Sequence, residues 1–283
     1  MPDTLPLLEV LRGAESYLAG RGVESPRLNA EHLLAHVLGL KRMELYLQFD
    51  RPLGEAERAP LREMIKRRGA REPLQHILGT VEFHGRTFLC DKRALVPRPE
   101  TEQLVEIALR IAKDRGARKV LDVGTGSGVI AITMALEIPD ADVRATDISA
   151  EALSLAAENA ARHGVSARVV FSAADLLPDE DTAPDLVVAN LPYIPSAEIA
   201  ALPGEVRHDP VTALDGGADG LDIIRRLVDA AGQRLSPGGA ILMEIGAGQA
   251  DAVGALMNQR KLRDISVQTD YQNIPRFALG FHG

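Results

Sequence analysis

The tetrapeptide Asn190-Leu191-Pro192-Tyr193 carries the side chains of this sequence that are best suited to chemistry. It ends a predicted buried strand, and open α/β sheets bind ligands at the carboxyl ends of their strands. The Asn190 side-chain oxygen can accept a hydrogen bond from a planar NH2 group, and the Leu191 carbonyl, next to the rigid Pro192, can accept the second N–H. The Tyr193 ring can pack on the flat face of the same group. The alternative is a plain proline turn, but the order of these residues predicts a site that holds an amide or amino nitrogen.

A glycine-rich turn lies upstream, between a predicted strand over 119–123 and an apolar helix. The turn consists of Gly124, Thr125, Gly126, Ser127 and Gly128. Glycines at such a turn let the backbone approach a ligand closely. The dinucleotide fingerprint has its third glycine one position later, where this chain has Val129, so the spacing argues against a pyrophosphate-bearing cofactor.

Two acidic residues follow the next two predicted strands. Asp147 ends the second strand, where a carboxylate can accept both ribose hydroxyls of an adenosine. Asp175 follows the third strand and could accept the adenine amino group, while Leu176 would cover the ring. Because these strand ends meet at one sheet edge, we expect the glycine loop, Asp147, Asp175, Leu176 and Asn190 to form one cofactor site.

The elements that must position these residues alternate between strand and helix from Lys119 onward, which predicts a parallel sheet covered on both faces. Strands are predicted over 119–123, 142–147, 168–172, 185–190, 239–245, 264–269 and 277–281. Helices are predicted over 101–113, 128–138, 150–163, 220–235 and 248–259.

The first 75 residues show helical patterns only, with Ser25 and Pro26 as the N-cap and first residue of a second helix. A third helix carries a basic row formed by Arg58, Arg62 and Lys66. This row is either a solvated helix face or a docking surface for an acidic or phosphate-bearing partner. Two short β-like runs around His84-Gly85 predict a hairpin that joins this part to the next.

Composition limits the possible classes of protein. The 283 residues are 46% hydrophobic and 25% charged, which suits one large or two ordinary globular domains. The net charge of −8 argues against nonspecific binding to nucleic acid. A single cysteine, Cys90, excludes an intrachain disulfide and fits a reducing compartment. We find neither a signal peptide nor an apolar run long enough to span a membrane, so we expect a cytoplasmic protein.

Together these residues resemble the class I S-adenosylmethionine methyltransferases, whose α/β, Rossmann-like fold has a seven-stranded sheet with one antiparallel strand. An Asn-Pro-Pro-Tyr-like tetrapeptide marks members that methylate an amide or amino nitrogen. The resemblance narrows to the HemK/PrmC-type protein-glutamine methyltransferases. The motifs that carry it are Gln75 to Gly79, Pro97 to Glu102, Glu205-Val206 with Asp209-Pro210, and Ala213 to Leu221.

The resemblance implies an N-terminal helical, substrate-recognition domain over 1–75, a β-hairpin linker over 76–98 and a methyltransferase domain over 99–283. It implies transfer of a methyl group to the N5 amide nitrogen of the glutamine in the Gly-Gly-Gln motif of peptide chain release factors. We therefore expect a monomer with a release factor as its partner, and no direct binding to nucleic acid or to a membrane.

The implied site roles follow residue by residue. The expected cofactor is S-adenosylmethionine, and no metal ion is expected. Asn190 and Tyr193 are the expected catalytic residues, and Leu191 and Pro192 complete the substrate-binding tetrapeptide. Arg98, a fixed cation directly before the methyltransferase domain, is expected either to bind substrate or to form a surface ion pair.

One position departs from the family pattern, since the family usually has proline where this chain has Leu191. Asn-Leu-Pro-Tyr is more similar to the ribosomal RNA adenine dimethylases. The first alternative is thus an adenine-N6 methyltransferase acting on RNA or DNA. This alternative accounts for Leu191, but neither for the motif Pro97 to Glu102 nor for the net charge of −8. The second is a cofactor-binding scaffold without catalysis.

Overall fold

The computed structural model describes residues 4–178 and 183–283. These residues form two compact units. The first consists of Met1–Gly79 together with Pro203–His208, and the second of Thr80–Leu202 together with Asp209–Gly283. The first unit thus includes a short segment that the sequence analysis assigned to the methyltransferase domain.

The first unit is helical around a leucine-rich core. Its strands are β1 (Leu5–Pro6) and β2 (Pro52–Leu53), which pair antiparallel. Its α-helices are α1 (Leu7–Gly20), α2 (Pro26–Leu38), α3 (Glu55–Gly69) and α4 (Leu74–Leu78). Two 3-10 helices, Arg42–Leu47 and Val206–His208, complete it. The core buries Leu7, Leu11, Leu18, Leu33, Leu34, Leu45, Leu53 and Leu61.

The helix α2 begins where the sequence predicts, but it is not capped as expected. Pro26 is its first residue, and Ser25 occupies the N-cap position with a left-handed φ of 47° and no capping bond from its side chain. Instead, the Asn29 side chain donates to the Glu24 and Ser25 carbonyl oxygens. Gly39 ends the helix with a φ of 64°, a conformation that glycine adopts without steric cost.

The predicted basic row on α3 is neutralised by acids of the same helix. Arg58 and Arg62 both pair with Glu55, and Lys66 Nζ lies 2.8 Å from Glu63 Oε1. The pairs of Arg62 and Lys66 are exposed on both sides, and such pairs contribute little to stability. The arrangement favours the solvated helix face over a basic docking surface.

The segment Pro203–His208 is held in the first unit by ion pairs. Arg68, only 5% exposed, donates through Nη2 to Glu205 Oε1 at 2.9 Å and through Nε to Asn29 Oδ1 at 2.8 Å. Arg71 Nη2 donates to Glu205 Oε2 at 2.6 Å. Glu205 therefore compensates a buried cation that would otherwise lack a charged partner in this cluster.

The second unit begins with a hairpin and a long helix. Strands β3 (Thr80–Phe83) and β4 (Arg86–Leu89) pair antiparallel across His84 and Gly85, which both have positive φ, as a tight hairpin turn requires. The helix α5 (Pro99–Arg115) follows, with a proline at its first position and acids in its first turn. This arrangement complements the helix dipole.

The remaining elements alternate as predicted, with bounds that agree to within two residues. The strands are β5 (Lys119–Val123), β6 (Asp142–Asp147), β7 (Val169–Ala173), β8 (Leu186–Asn190), β9 (Ala240–Glu244), β10 (Arg263–Thr269) and β11 (Pro275–Phe281). The α-helices are α6 (Val129–Glu137), α7 (Ala150–Arg162), α8 (Asp222–Arg234) and α9 (Ala250–Gln259). The 3-10 helices are Ser196–Ala201 and Val211–Ala213.

These strands form one seven-stranded sheet in the order β10-β11-β9-β8-β5-β6-β7. Strands β5 to β9 pair parallel, and β11 runs antiparallel to both of its neighbours. The predicted fold class, including its single antiparallel strand, is confirmed. The chain builds outward from β5 to β7 and then returns to place β8 on the other side of β5. This reversal opens a crevice at the carboxyl ends of β5 and β8, the position where such sheets bind ligands.

Candidate functional site

A cavity of about 550 Å³ occupies the carboxyl edge of the sheet in the second unit. Ten of the predicted site residues line it: Gly124, Thr125, Gly126, Ser127, Asp147, Asp175, Leu176, Asn190, Leu191 and Pro192. Three others, Gly128, Tyr193 and Arg98, are not among its lining residues. The fold thus brings together most of what the sequence predicts as one site.

The glycine loop is pinned to the end of β6. The backbone N–H groups of Gly124 and Thr125 both donate to the Thr146 carbonyl at 2.9 Å. Gly124 and Gly126 have φ values of 74° and 55°, which an L side chain rarely adopts. The loop is therefore held in a fixed shape with its backbone lining the cavity.

A buried carboxylate supports the loop from below. Asp122 is fully buried, and its Oδ2 accepts hydrogen bonds from Thr125 Oγ1 at 2.6 Å and from the Ala131 N–H at 3.1 Å. Burial raises the pKa of Asp122 to about 7, although these two hydrogen bonds oppose the shift. Asp122 thus ties the loop to the first turn of α6.

Asp147 links the loop to the next helix. Its Oδ2 accepts from the Gly126 N–H at 2.9 Å, and its Oδ1 accepts from the Ser149 N–H at 2.8 Å. A carboxylate oxygen can accept more than one hydrogen bond, so both oxygens retain capacity for a pair of hydroxyl groups. Ile148, which the sequence analysis did not select, lines the same cavity with 71% of its surface exposed. Its apolar surface could cover a flat ring.

Asp175 and Leu176 line the same cavity. Asp175 Oδ2 is 2.6 Å from Arg226 Nη2, and both side chains are about half exposed. Leu176 has an unusual φ of 75°, and its carbonyl accepts a 2.6 Å hydrogen bond from the buried Thr146 hydroxyl. Arg226 also lines the cavity, so the sequence analysis missed a partner that orients Asp175.

The Asn190 amide is oriented by a buried hydroxyl and a buried carboxylate. Asn190 Nδ2 donates to Thr101 Oγ1 at 2.9 Å, and Thr101 Oγ1 donates to Glu244 Oε2 at 3.1 Å. Thr101 and Glu244 are each 3% exposed. No described residue donates to Asn190 Oδ1, so this oxygen remains available as an acceptor at the cavity wall.

Leu191, the residue that departs from the family pattern, packs against the glycine loop. It is 7% exposed, and a Cβ atom added at Gly124 would lie 2.7 Å from Leu191 Cδ2. Glycine is therefore required at position 124 for steric as well as conformational reasons. The leucine side chain packs next to the loop, while the backbone carbonyl of Leu191 lies directly after the end of β8.

The motif Ala213 to Leu221 supports the tetrapeptide through its backbone. The Ile194 N–H donates to the Leu214 carbonyl at 3.1 Å, and the Gly216 N–H donates to the Ile194 carbonyl at 2.9 Å. A Cβ atom at Gly216 would lie 2.8 Å from the Pro192 carbonyl oxygen. Gln249 adds a 3.0 Å hydrogen bond from Nε2 to the Tyr193 carbonyl. The glycines of this motif thus permit close packing beneath the tetrapeptide.

The three predicted residues outside the lining have packing and electrostatic roles. Gly128 precedes α6 at a φ of 83°, where a Cβ atom would lie 3.0 Å from Ala156 Cβ. Arg98 Nη2 lies 2.9 Å from Asp209 Oδ2, so Arg98 forms an ion pair, but with a buried acid and not with a surface group. Tyr193 OH donates to Glu244 Oε1 at 3.4 Å, and burial raises the pKa of this phenol to about 12.

Two further observations concern the single cysteine and the apolar character of the helices. Cys90 is buried, and burial raises the pKa of its thiol to about 12, with Asp209 adding to the shift. The thiol is therefore protonated at neutral pH and not a ready nucleophile. Within the described ranges, no helix combines the length and apolar character that crossing a bilayer requires.

Comparison with known proteins adds independent information. Residues 9–79 match the model of the PrmC N-terminal domain, and residues 102–201 match that of the methyltransferase small domain. The chain is 44% identical to the release factor glutamine methyltransferase of Geobacter sulfurreducens, over 99% of this chain and 98% of the relative. It is 45% identical to that of Deinococcus radiodurans, over 89% of this chain and 90% of the relative.

Two solved structures show the same fold at low sequence identity. The hMettl16 catalytic domain in complex with MAT2A 3'UTR hairpin 1 matches with a TM-score of 0.57 at 14% identity, over 80% of each chain. The T. thermophilus 16S rRNA N2 G1207 methyltransferase in complex with AdoMet and guanosine matches with a TM-score of 0.53 at 16% identity. That match covers 72% of this chain and 50% of the other.

Proposed function

This chain belongs to the release factor glutamine methyltransferase family, and we propose that it methylates the side-chain amide nitrogen of the Gly-Gly-Gln glutamine in peptide chain release factors. The methyl donor is S-adenosylmethionine. The observation that carries the proposal is the Asn190 amide, which lines the cavity and whose Nδ2 is held by Thr101, while no described residue donates to its Oδ1. This is the acceptor that a substrate amide N–H requires.

The cavity residues fit the cofactor. Asp147 has lone pairs left on both oxygens to accept ribose hydroxyls, and the backbone of the glycine loop lines the adjacent wall. Ile148 and Leu176 offer apolar surface on which an adenine ring could lie, and Asp175 offers a carboxylate for its amino group. When bound, S-adenosylmethionine supplies an electrophilic methyl group.

The tetrapeptide would position the substrate nitrogen. Asn190 Oδ1 would accept one amide N–H and the Leu191 carbonyl the other, so that the nitrogen is held in one orientation. These acceptors would also stabilise the positive charge that develops on nitrogen during transfer. The proton that is lost afterwards can pass to water, since the tetrapeptide contains no strong base.

The leucine at position 191 is compatible with this role. The hydrogen bond uses the carbonyl of residue 191, which leucine and proline both provide. The Leu191 side chain packs against Gly124 and is buried there, so it does not block the backbone carbonyl of the same residue. We therefore assign the substitution a packing role and keep the amide as substrate.

We propose that the helical unit recognises the release factor. It contains the residues that match the PrmC N-terminal domain and none of the ten predicted site residues that line the cavity. Arg98 is paired with Asp209 and keeps 38% of its side-chain surface exposed, which it could offer to the substrate. Because the proposed substrate is a translation factor, we expect the protein to act in the cytoplasm. We also expect it to act as a monomer.

The decisive experiment measures transfer of a labelled methyl group from S-adenosylmethionine to a purified release factor and, in parallel, to ribosomal RNA. Peptide mapping should place the label on the glutamine of the Gly-Gly-Gln motif. A release factor in which that glutamine is replaced by alanine is the matched control and should accept no label. Label found only on adenine of RNA would refute the proposal.

A further inference from the structure

The Asn190 amide is the last member of a short chain of hydrogen bonds that begins at Glu244. In the parallel pairing of β8 with β9, Asn190 stands directly opposite Glu244. Thr101, in the first turn of α5, bridges them with bonds of 2.9 Å and 3.1 Å. Three separate elements therefore meet at one amide group.

The direction of these hydrogen bonds follows from the donors and acceptors that each group offers. A charged carboxylate can only accept hydrogen bonds, so the single Thr101 hydroxyl proton must point to Glu244. The Thr101 oxygen is then left as an acceptor, and only the NH2 end of the Asn190 amide can pair with it. The amide is consequently oriented with Oδ1 turned away from Thr101.

Glu244 also contacts the other end of the tetrapeptide. Its Oε2 accepts from Thr101 and its Oε1 accepts from Tyr193 OH at 3.4 Å. Both Thr101 and Glu244 are almost completely buried, so water competes little for these bonds. One buried carboxylate thus orients the side chains at both ends of the tetrapeptide.

We propose that Thr101 and Glu244 are positioning residues for methyl transfer, and that they determine which atom of the Asn190 amide faces the substrate. This role rests on the proposed amide substrate, because only an N–H donor needs Oδ1 in that place. Neither residue contacts the substrate nitrogen in this scheme. Both act through Asn190.

Protonation of Glu244 would reverse the direction of these hydrogen bonds. The charged and titratable groups that face Glu244 are Glu100 on α5, Tyr193 after β8 and Arg276 on β11. Burial raises the pKa of Glu244 to about 7, with Glu100 adding to the shift and the Thr101 bond and Arg276 opposing it. A protonated Glu244 can donate to Thr101, which can then donate to Asn190 Oδ1. The acceptor would be lost to the substrate, so turnover should fall as the pH drops below about 7.

The first test compares Thr101→Val with Thr101→Ser, with saturating S-adenosylmethionine and a release factor as substrate. Valine keeps the shape but removes the hydroxyl, and we expect kcat to fall by about 10- to 100-fold because the amide loses its fixed orientation. Serine restores the hydroxyl and should keep kcat within about threefold of the wild type. The dissociation constant for S-adenosylmethionine should stay unchanged in both variants.

Thr133→Val is the matched control, because Thr133 is a buried threonine on α6 whose Oγ1 has no hydrogen-bond partner among the described residues. It should leave kcat unchanged. Wild-type turnover by a folded Thr101→Val variant would refute the positioning role. A fall in kcat for Thr101→Val and Thr133→Val alike would also refute it, since any buried threonine would then matter.

Two further measurements separate this role from a structural one. Glu244→Gln cannot titrate, so its kcat should lose the decline below pH 7, and a decline equal to that of the wild type would refute the proposal. The side-chain amide resonances of Asn190, identified by their loss in Asn190→Ala, should move in Thr101→Val and remain in place in Thr133→Val. This measurement needs no turnover, so it tests the contact even if the release factor proves not to be the substrate. Unmoved resonances in Thr101→Val would refute the contact.

Discussion

Asp147 accepts a 2.9 Å hydrogen bond from the backbone N–H of Gly126, so the acid at the end of β6 also holds the glycine loop of β5. This relationship means that one carboxylate serves two purposes in the proposed cofactor site. It would receive the ribose hydroxyls, and it fixes the loop that forms the neighbouring wall.

The first prediction concerns this carboxylate. Asp147→Ala should weaken S-adenosylmethionine binding by about 1–3 kcal/mol, the range expected for losing hydrogen bonds to a charged group. Isothermal titration calorimetry measures the change. Asp142→Ala is the control, because Asp142 lies at the opposite end of the same strand and outside the cavity lining. Equal affinities for the wild type and Asp147→Ala would remove Asp147 from the site.

The second prediction concerns the contact between Gly124 and Leu191. Gly124→Ala should destabilise the protein by about 2–4 kcal/mol, because the new methyl group meets Leu191 Cδ2 and the positive φ is strained. Gly116→Ala has a φ of 65° without a close neighbour, so it reports the strain alone. The double variant Gly124→Ala with Leu191→Ala should be less destabilised than the sum of the two single changes. Additive losses in chemical unfolding would contradict the contact.

The third prediction concerns the segment Pro203–His208, which belongs to the helical unit. Glu205→Gln should lower the free energy of unfolding by about 1–3 kcal/mol, because the almost fully buried Arg68 loses its charged partner. Glu63→Gln removes the partner of an exposed lysine and should leave stability almost unchanged. Equal effects of the two substitutions in urea unfolding would argue against an important role for this pair.

The sheet and most of the cavity could be predicted because their signals are local. Apolar runs such as that before Asn190 indicate strands, and parallel topology then brings their carboxyl ends together. The Glu205 contact was not predictable, because it joins residues more than 130 positions apart through an ion pair that leaves no periodic signal.

Thr101 and Glu244, which orient the Asn190 amide, were missed for another reason. Thr101 has the sequence signature of an ordinary first-turn residue of a helix, and nothing local indicates that its hydroxyl pairs with Asn190. Glu244 did carry a usable signal, since an acid inside the apolar strand β9 must find a partner once it is buried. Which partner it finds depends on the register between β8 and β9, which sequence patterns do not define.

The fourth prediction concerns stability and pH. Burial raises the pKa of Asp122 from its ordinary 3.8 to about 7, so its stabilising contribution is complete below pH 4 and is lost as the pH rises through 7. Asp122→Asn keeps an oxygen for the Thr125 and Ala131 bonds and cannot ionise. At pH 8 it should be more stable than the wild type by about 1–3 kcal/mol, and the difference should shrink toward pH 5. Thermal unfolding across this range measures it, and a constant difference would mean that Asp122 is not the titrating group.

The fifth prediction concerns Asn190 and tests the direction of the hydrogen bonds that join Asn190, Thr101 and Glu244. Asn190→Ala deletes the acceptor and should reduce kcat by about a hundredfold above pH 7, where the wild type presents this acceptor to the substrate. Asn190→Asp places a second carboxylate next to the Thr101 hydroxyl, which has a single proton to donate and already pairs with Glu244. Above pH 7 both carboxylates would compete for it, and kcat should be as low as in Asn190→Ala. As the pH falls, the first proton that these two carboxylates take up can reside on the aspartic acid. The aspartic acid then donates to Thr101 and offers its carbonyl oxygen to the substrate, as asparagine does, while Glu244 is still charged. The kcat of Asn190→Asp should therefore rise toward low pH, where that of the wild type declines, and parallel pH profiles for the two proteins would contradict the orientation assigned to this amide.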